Sequence, residues 1–145
     1  MLQRVRPVSM ALDLERLRGL SGFRHALRRF LSASELISRA AGVTQQQYQA
    51  LLAIKATDGG EMTMGDLAET LLLTHHAAVQ LMDRLTKAGL AERTQSQEDR
   101  RMVLLTLTPP GDDLVNELAE RHLEEMLRQE PALRRSLSRL KRLAE

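Results

Sequence analysis

Four residues between positions 76 and 84 have side chains suited to reading a nucleic-acid surface. His76, Ala77, Gln80 and Arg84 fall at i, i+1, i+4 and i+8, which on a helix forms one stripe. A glutamine amide can pair with an adenine edge, and an arginine with guanine or phosphate. Ala77 and Val79 offer methyl groups of the kind that meet thymine. Thr74, His75 and His76 stand where such a helix would begin, and helix N-termini attract phosphate. A second polar group, Gln97, Asp99, Arg100 and Arg101, follows within a polar run from Gln95 to Arg101. On these residues alone a plainer reading stays open: a solvated helix face followed by a solvated turn.

The elements that would carry these residues are legible in the spacing of apolar positions. Ala78, Leu81, Met82 and Leu85 lie at i, i+3, i+4 and i+7 and predict a helix over 75–88 with one buried face. Thr74 caps it, and Gly89 suits the left-handed position that ends it. Thr63 caps a shorter helix before it, with Asp66 in the first turn and Leu67, Ala68 and Leu71 as its apolar set. Leu72 and Leu73 make a short turn. Two strands, Leu90–Thr94 and Met102–Thr108, flank the polar run and predict a hairpin with a charged tip. Upstream, Leu20, Phe23, Leu27, Phe30, Ser34 and Ile37 predict a helix from about 13 to 40. Gly42 stops that helix. Thr44 and Gln47 form a capping box for the next, whose buried face is Tyr48, Leu51, Leu52 and Ile54. After Thr108, two prolines open a helix over 109–128, and Pro131 separates it from another over 132–143. Residues 1–11 read as an arm.

Composition narrows the functional classes. The chain has 145 residues, 43% of them hydrophobic, which is one domain with a real core. Leu, Ala and Met dominate that fraction and favour helix. With no cysteine, the chain has no disulfide, thiolate metal site or thiol switch of its own. No apolar run approaches the ~18 residues of a membrane span, and no signal peptide is expected; a cytoplasmic location is. Net charge is +2, unevenly spread: residues 1–40 hold eight Arg against three acids, and residues 41–79 one Lys against four acids. No Gly-rich phosphate loop, GxSxG or HExxH occurs, so an enzyme is not expected. His25, His75, His76 and His122 have no metal-ligand spacing, since adjacent helical residues point about 100° apart.

The order helix, turn, helix, hairpin is a winged helix-turn-helix. The stretches VTQQQYQALLAI at 43–54, GDLAETLLLTHHAAVQLMDRLTKAGLAER at 65–93 and DRRMVLLTLTPPG at 99–111 resemble the MarR-type (multiple-antibiotic-resistance regulator) transcription factors. The resemblance implies a mainly α fold with a small two- to three-stranded β wing. It divides a single domain, 1–145, into dimerisation helices at 12–42 and 109–145 around a DNA-binding region at 43–108. It implies that Asp99 holds the wing loop's shape, Arg101 enters a minor groove and Arg100 faces phosphate or a carboxylate. Relatives often carry Ser, Thr and Arg where His76, Ala77, Val79 and Gln80 stand, so a different preferred sequence is implied.

Apolar stripes at Leu12, Leu14, Leu17 and Leu20, and at Leu114, Leu118, Leu123, Met126, Leu133, Leu137, Leu140 and Leu143, call for a partner surface. Packing within the chain is one answer. The resemblance implies the other: a homodimer on double-stranded DNA bearing an inverted repeat, acting as a repressor released by a small aromatic effector. Phe23, His25, Phe30, Tyr48 and Met64 are the candidate lining for such a ligand, and no cofactor is expected. The alternative is a winged-helix module for protein contact with weak or no DNA binding.

Overall fold

The computed structural model describes residues 13–145. The predicted arm at 1–11 and Leu12 lie outside them. The element order is α1 (Leu14–Ala40), α2 (Gln45–Lys55), a 3-10 turn (Asp58–Gly60), β1 (Glu61–Thr63), α3 (Met64–Thr70), α4 (His75–Lys87), β2 (Ala91–Gln95), β3 (Val103–Leu107) and α5 (Pro109–Ala144). The fold is mainly helical with a three-stranded antiparallel sheet in the order β1-β3-β2. Leu105 at the centre of β3 faces Met62 of β1 and Arg93 of β2.

The chain divides into two compact units, residues 34–124 and the remainder; α1 and α5 each run through both. In the 34–124 unit the core is built from Leu51 and Ile54 of α2, Leu67 of α3, Met82 and Leu85 of α4, Leu105 of β3, and Val115 and Leu118 of α5, all essentially inaccessible. The capping box at Thr44 forms, with Gln47 N donating to the threonine hydroxyl at 3.1 Å and Thr44 N to the Gln47 amide oxygen at 2.9 Å. Leu52 departs from its expected place. It is 39% exposed while Ala50 is buried, because the face of α2 that meets the core runs through Tyr48, Leu51 and Ile54.

A buried polar group ties three helices of this unit together. Ser38 Oγ donates to Gln45 Oε1 at 2.7 Å, and Gln45 Nε2 donates to Ser34 Oγ at 2.5 Å. His122 of α5 is buried with its ring nitrogens 2.8 Å from the Leu118 carbonyl oxygen and 3.2 Å from that of Ser34. Tyr48 stacks on the His122 ring at 4.0 Å between centroids and 5° between planes. Burial pushes the Tyr48 phenol above its ordinary pKa, because the phenolate would lose its hydration.

The other unit, described here through residues 13–33 and 125–145, holds the start of α1 and the end of α5. Gly19 is buried, and a Cβ there would lie 2.6 Å from Leu143 Cδ1. Arg16 Nε donates to the Leu143 carbonyl at 3.2 Å, and Arg139 lies 3.5 Å from Glu15. Leu14, Leu17, Leu20, Leu27 and Leu31 of α1 remain 38–58% exposed, as do Met126, Leu127 and Leu137 of α5 at 50–65%. The predicted break at Pro131 does not occur: α5 is continuous through it. A proline forfeits its own bond to the carbonyl four residues back, but that one loss leaves the flanking turns intact.

The start of α5 is locked to the turn after α4. Thr108 N donates to the Leu90 carbonyl at 3.1 Å and Thr108 Oγ1 to that of Gly89 at 2.6 Å. Gly111 N donates back to Thr108 Oγ1 at 3.2 Å. Gly111 sits so close to the Leu90 carbonyl oxygen that a Cβ would overlap it. Gly111→Ala therefore lowers unfolding free energy by roughly 1–3 kcal/mol, the usual cost of overpacking, read from urea denaturation midpoints. An unchanged midpoint would show that this junction has slack.

Candidate nucleic-acid interface

α3 and α4 are set by their caps. Thr63 and Thr74 are extended, and each side chain accepts a backbone N–H three residues on, from Asp66 and Ala77, both at 3.1 Å. The turn between the helices is a Schellman closure: Leu73 N donates to Ala68 O at 2.8 Å and Leu72 N to Glu69 O at 3.2 Å. The same closure ends α1 and α4, where Gly42 and Gly89 take the left-handed residue at φ 83 and 72. After α3 a leucine takes it: Leu72 has φ 55 and is 92% exposed.

α4 turns Ala78, Leu81, Met82 and Leu85 inward, as their spacing predicts. His75, His76, Gln80 and Arg84 are exposed, and Ala77 and Val79 are half-buried. Thr74 is exposed at the cap. The structure therefore brings the predicted reading stripe to one outer face, with the two methyl-bearing residues at its margin. Sequence reading missed Asp83 on this helix. It is ion-paired at 2.7 Å with Arg93 of β2, so the acid is offset and the helix is tied to the first wing strand.

The wing loop is held by its own side chains. Ser96 N donates to Met102 O at 3.0 Å, and Met102 N to Asp99 O at 2.9 Å. Ser96 Oγ accepts from the backbone N–H of Glu98 and Asp99, each at 3.3 Å. Asp99 Oδ1 accepts from Arg101 N at 3.0 Å and lies 3.7 Å from Arg101 Nε. Gln95 Nε2 donates to the Arg100 carbonyl at 2.9 Å. Gln97 and Arg100 are exposed, and the Arg101 side chain is 95% exposed at the tip. An arginine so fully presented on a hydrogen-bonded loop can enter a groove while its carboxylate partner, itself half exposed, holds it only weakly.

The electrostatic balance of the 34–124 unit runs against a simple basic surface. It holds fourteen Asp or Glu against eight Lys or Arg. Attraction to phosphate would have to come from Arg84, Lys87, Arg100, Arg101 and the α4 N-terminus rather than from the unit's net charge. Of the candidate ligand residues, Tyr48 is taken up by its stack on His122 and Met64 is half-buried against the core. Phe23, His25 and Phe30 belong to the other unit. Among the described residues no group of three or more His, Asp or Glu could hold a metal ion, and no helix is long and apolar enough to cross a membrane.

Comparison with known proteins points one way. The MarR family model matches residues 41–102. The HTH-type transcriptional regulator FarR of Neisseria gonorrhoeae is 31% identical over 80 residues, 55% of this chain and 53% of FarR. AbsC, a MarR family transcriptional regulator from Streptomyces coelicolor, superposes with a TM-score of 0.76 at 21% identity over 83% of this chain and 82% of AbsC. NadR in complex with 4-hydroxyphenylacetate gives a TM-score of 0.67 at 26% identity over 94% of both chains. The chain spans about half the length of the curated relatives it matches.

The left-handed leucine carries a prediction of its own. A non-glycine residue in that conformation costs ~1–2 kcal/mol, part of which glycine returns as unfolded-chain entropy. Leu72→Gly should raise unfolding free energy by about 0.5–1 kcal/mol in denaturant titration. A loss of stability would mean that the exposed leucine makes a contact that outweighs its backbone strain.

Proposed function

We propose that this chain, whose residues 41–102 match the MarR family model, is a sequence-specific DNA-binding regulator of transcription. The carrying observation is the outward face of α4, with His75, His76, Gln80 and Arg84 exposed, joined through Asp83 and Arg93 to a wing that ends in Arg101. A helix of this width fits the major groove, and an arginine-tipped loop suits the narrower, more negative minor groove. Gln80 and Arg84 read base edges, and the capped N-terminus of α4 receives a phosphate.

The chain works as a homodimer on an inverted repeat. The row of exposed leucines along α1 and the exposed Met126, Leu127 and Leu137 of α5 support this, because such apolar helix faces call for a partner. Two-fold symmetry would set two recognition helices about one DNA turn, ~34 Å, apart. Bound across a promoter, the dimer represses by occupying the duplex. A small aromatic ligand releases it by favouring a spacing of the two heads that DNA does not accept; the complex of NadR with 4-hydroxyphenylacetate supports a ligand of this kind.

The acidic excess of the 34–124 unit favours a second reading, a winged-helix module for protein contact with weak or no DNA binding. Salt separates the two. A DNA binder loses affinity linearly in log–log form as salt rises, because phosphate contacts release counterions. Fluorescence anisotropy on a fragment selected from the source genome should show that slope, and Arg101→Ala should weaken binding by roughly 1–3 kcal/mol. Binding by the variant equal to that of the parent chain would remove Arg101 from the interface. Absence of salt-dependent binding by the parent would favour protein contact.

A further inference from the structure

A cleft of about 470 Å³ lies within the unit described by residues 13–33 and 125–145, between residues 19–29 of α1 and 128–139 of α5. Gly22 and Ala26 on α1 and Ala132 on α5 line it with little bulk, and a Cβ built at Gly22 would meet nothing within 4 Å. Around it stand His25, Arg29, Arg128, Arg135 and Arg139, with the amide of Gln129 and the hydroxyl of Ser136 between them. Four guanidinium groups on one small concavity repel one another unless anionic oxygens are interposed.

The pairing of these arginines is incomplete. Arg128 is bonded to Glu125 at 2.7 Å, and Arg139 lies 3.5 Å from Glu15. Among the described residues, neither Arg29 nor Arg135 has a carboxylate within 4.0 Å. The surroundings do not compensate. Residues 13–33 and 125–145 hold eleven Arg or Lys against five Asp or Glu, in a chain whose net charge is only +2.

We propose that this cleft binds a small polyanion, one carrying two or more carboxylate or phosphate groups, with Arg29 and Arg135 as its principal ligands. A guanidinium offers a planar pair of N–H donors that matches either group. The volume suits a small molecule, within the ~300–1,000 Å³ typical of ligand sites. A second copy of this chain is the weaker occupant on charge, since it brings the same basic excess to the cleft. Duplex DNA is also disfavoured, because its phosphates lie on a convex surface and this site is recessed. None of its lining residues belongs to α4 or the wing, so the proposal stands or falls independently of the DNA-binding reading.

The test is calorimetric titration of the full chain with citrate and, separately, pyrophosphate, against sodium chloride of equal ionic strength. The proposal predicts saturable binding of at least one polyanion, beyond anything chloride produces. The double variant Arg29→Gln/Arg135→Gln should bind at least tenfold more weakly. Both side chains are exposed, so the variant should melt no lower than the parent in the absence of polyanion. A preference between the two probes assigns the ligand to carboxylates or to phosphates. Heats equal to those of chloride, or full affinity in the variant, would overturn the proposal. So would a variant whose only change is a lower sedimenting mass, independent of anion, which would place a second copy in the cleft.

Discussion

Burial of one face of α4 decides what this protein can present to a partner. Leu81, Met82 and Leu85 are at most 2% exposed, and each fully buried side chain of this size contributes about 1.5–3 kcal/mol. Rotating the helix by one residue would expose part of that set and bury His76, Gln80 or Arg84 without partners. The price of an unpaired buried charge makes that rotation prohibitive. His76, Gln80 and Arg84 are thus outward because Leu81, Met82 and Leu85 are inward. The sheet, α2 and α3 exist in this unit as the surface against which that choice is made.

The wing depends on α4 through short, polar connections. Arg93 anchors β2 to Asp83 of α4, and the loop beyond β2 closes on Ser96 and Asp99 rather than on packing. At the other end of the hairpin, β3 passes into α5 through Thr108 and the close approach of Gly111 to Leu90. The turn that ends α4 is therefore also the seat of α5. A disturbance of that seat would reach α4 and α5 together. The buried Ser34, Ser38 and His122, with the half-buried Gln45, fix α1, α2 and α5 in the same unit by hydrogen bonds whose partners all lie within the protein.

Much of this was legible in the sequence because it is local. The threonine caps, the glycine stops at 42 and 89, the buried face of α4 and the charged hairpin all follow from residue types a few positions apart. The bond from Arg101 N to Asp99 is local too. What stayed hidden was either atypical or distant. The turn at Leu72 and Leu73 is legible, but leucine has none of the left-handed preference of Gly42 and Gly89, so the conformation of Leu72 is not. β1 is three residues long and exists only by pairing with β3 across more than forty positions. Ser34 and His122 meet across 88 residues, and nothing in their spacing announces it. Pro131 misled in the opposite direction, since a proline marks a helix end in most contexts but removes only one bond when the rest of the helix is well formed. The arginine cleft needed the antiparallel meeting of α1 and α5 before its residues formed a group.

In the proposed complex α4 and the wing address neighbouring grooves of one duplex, twice per dimer. Hydroxyl-radical footprinting on a genome-selected fragment reads this directly. The account predicts two protected segments about one helical turn, ~10 base pairs, apart on one face, each with a flanking minor-groove protection that disappears when the wing tip is removed. A single protected segment, or two whose flanks survive loss of the tip, would contradict it.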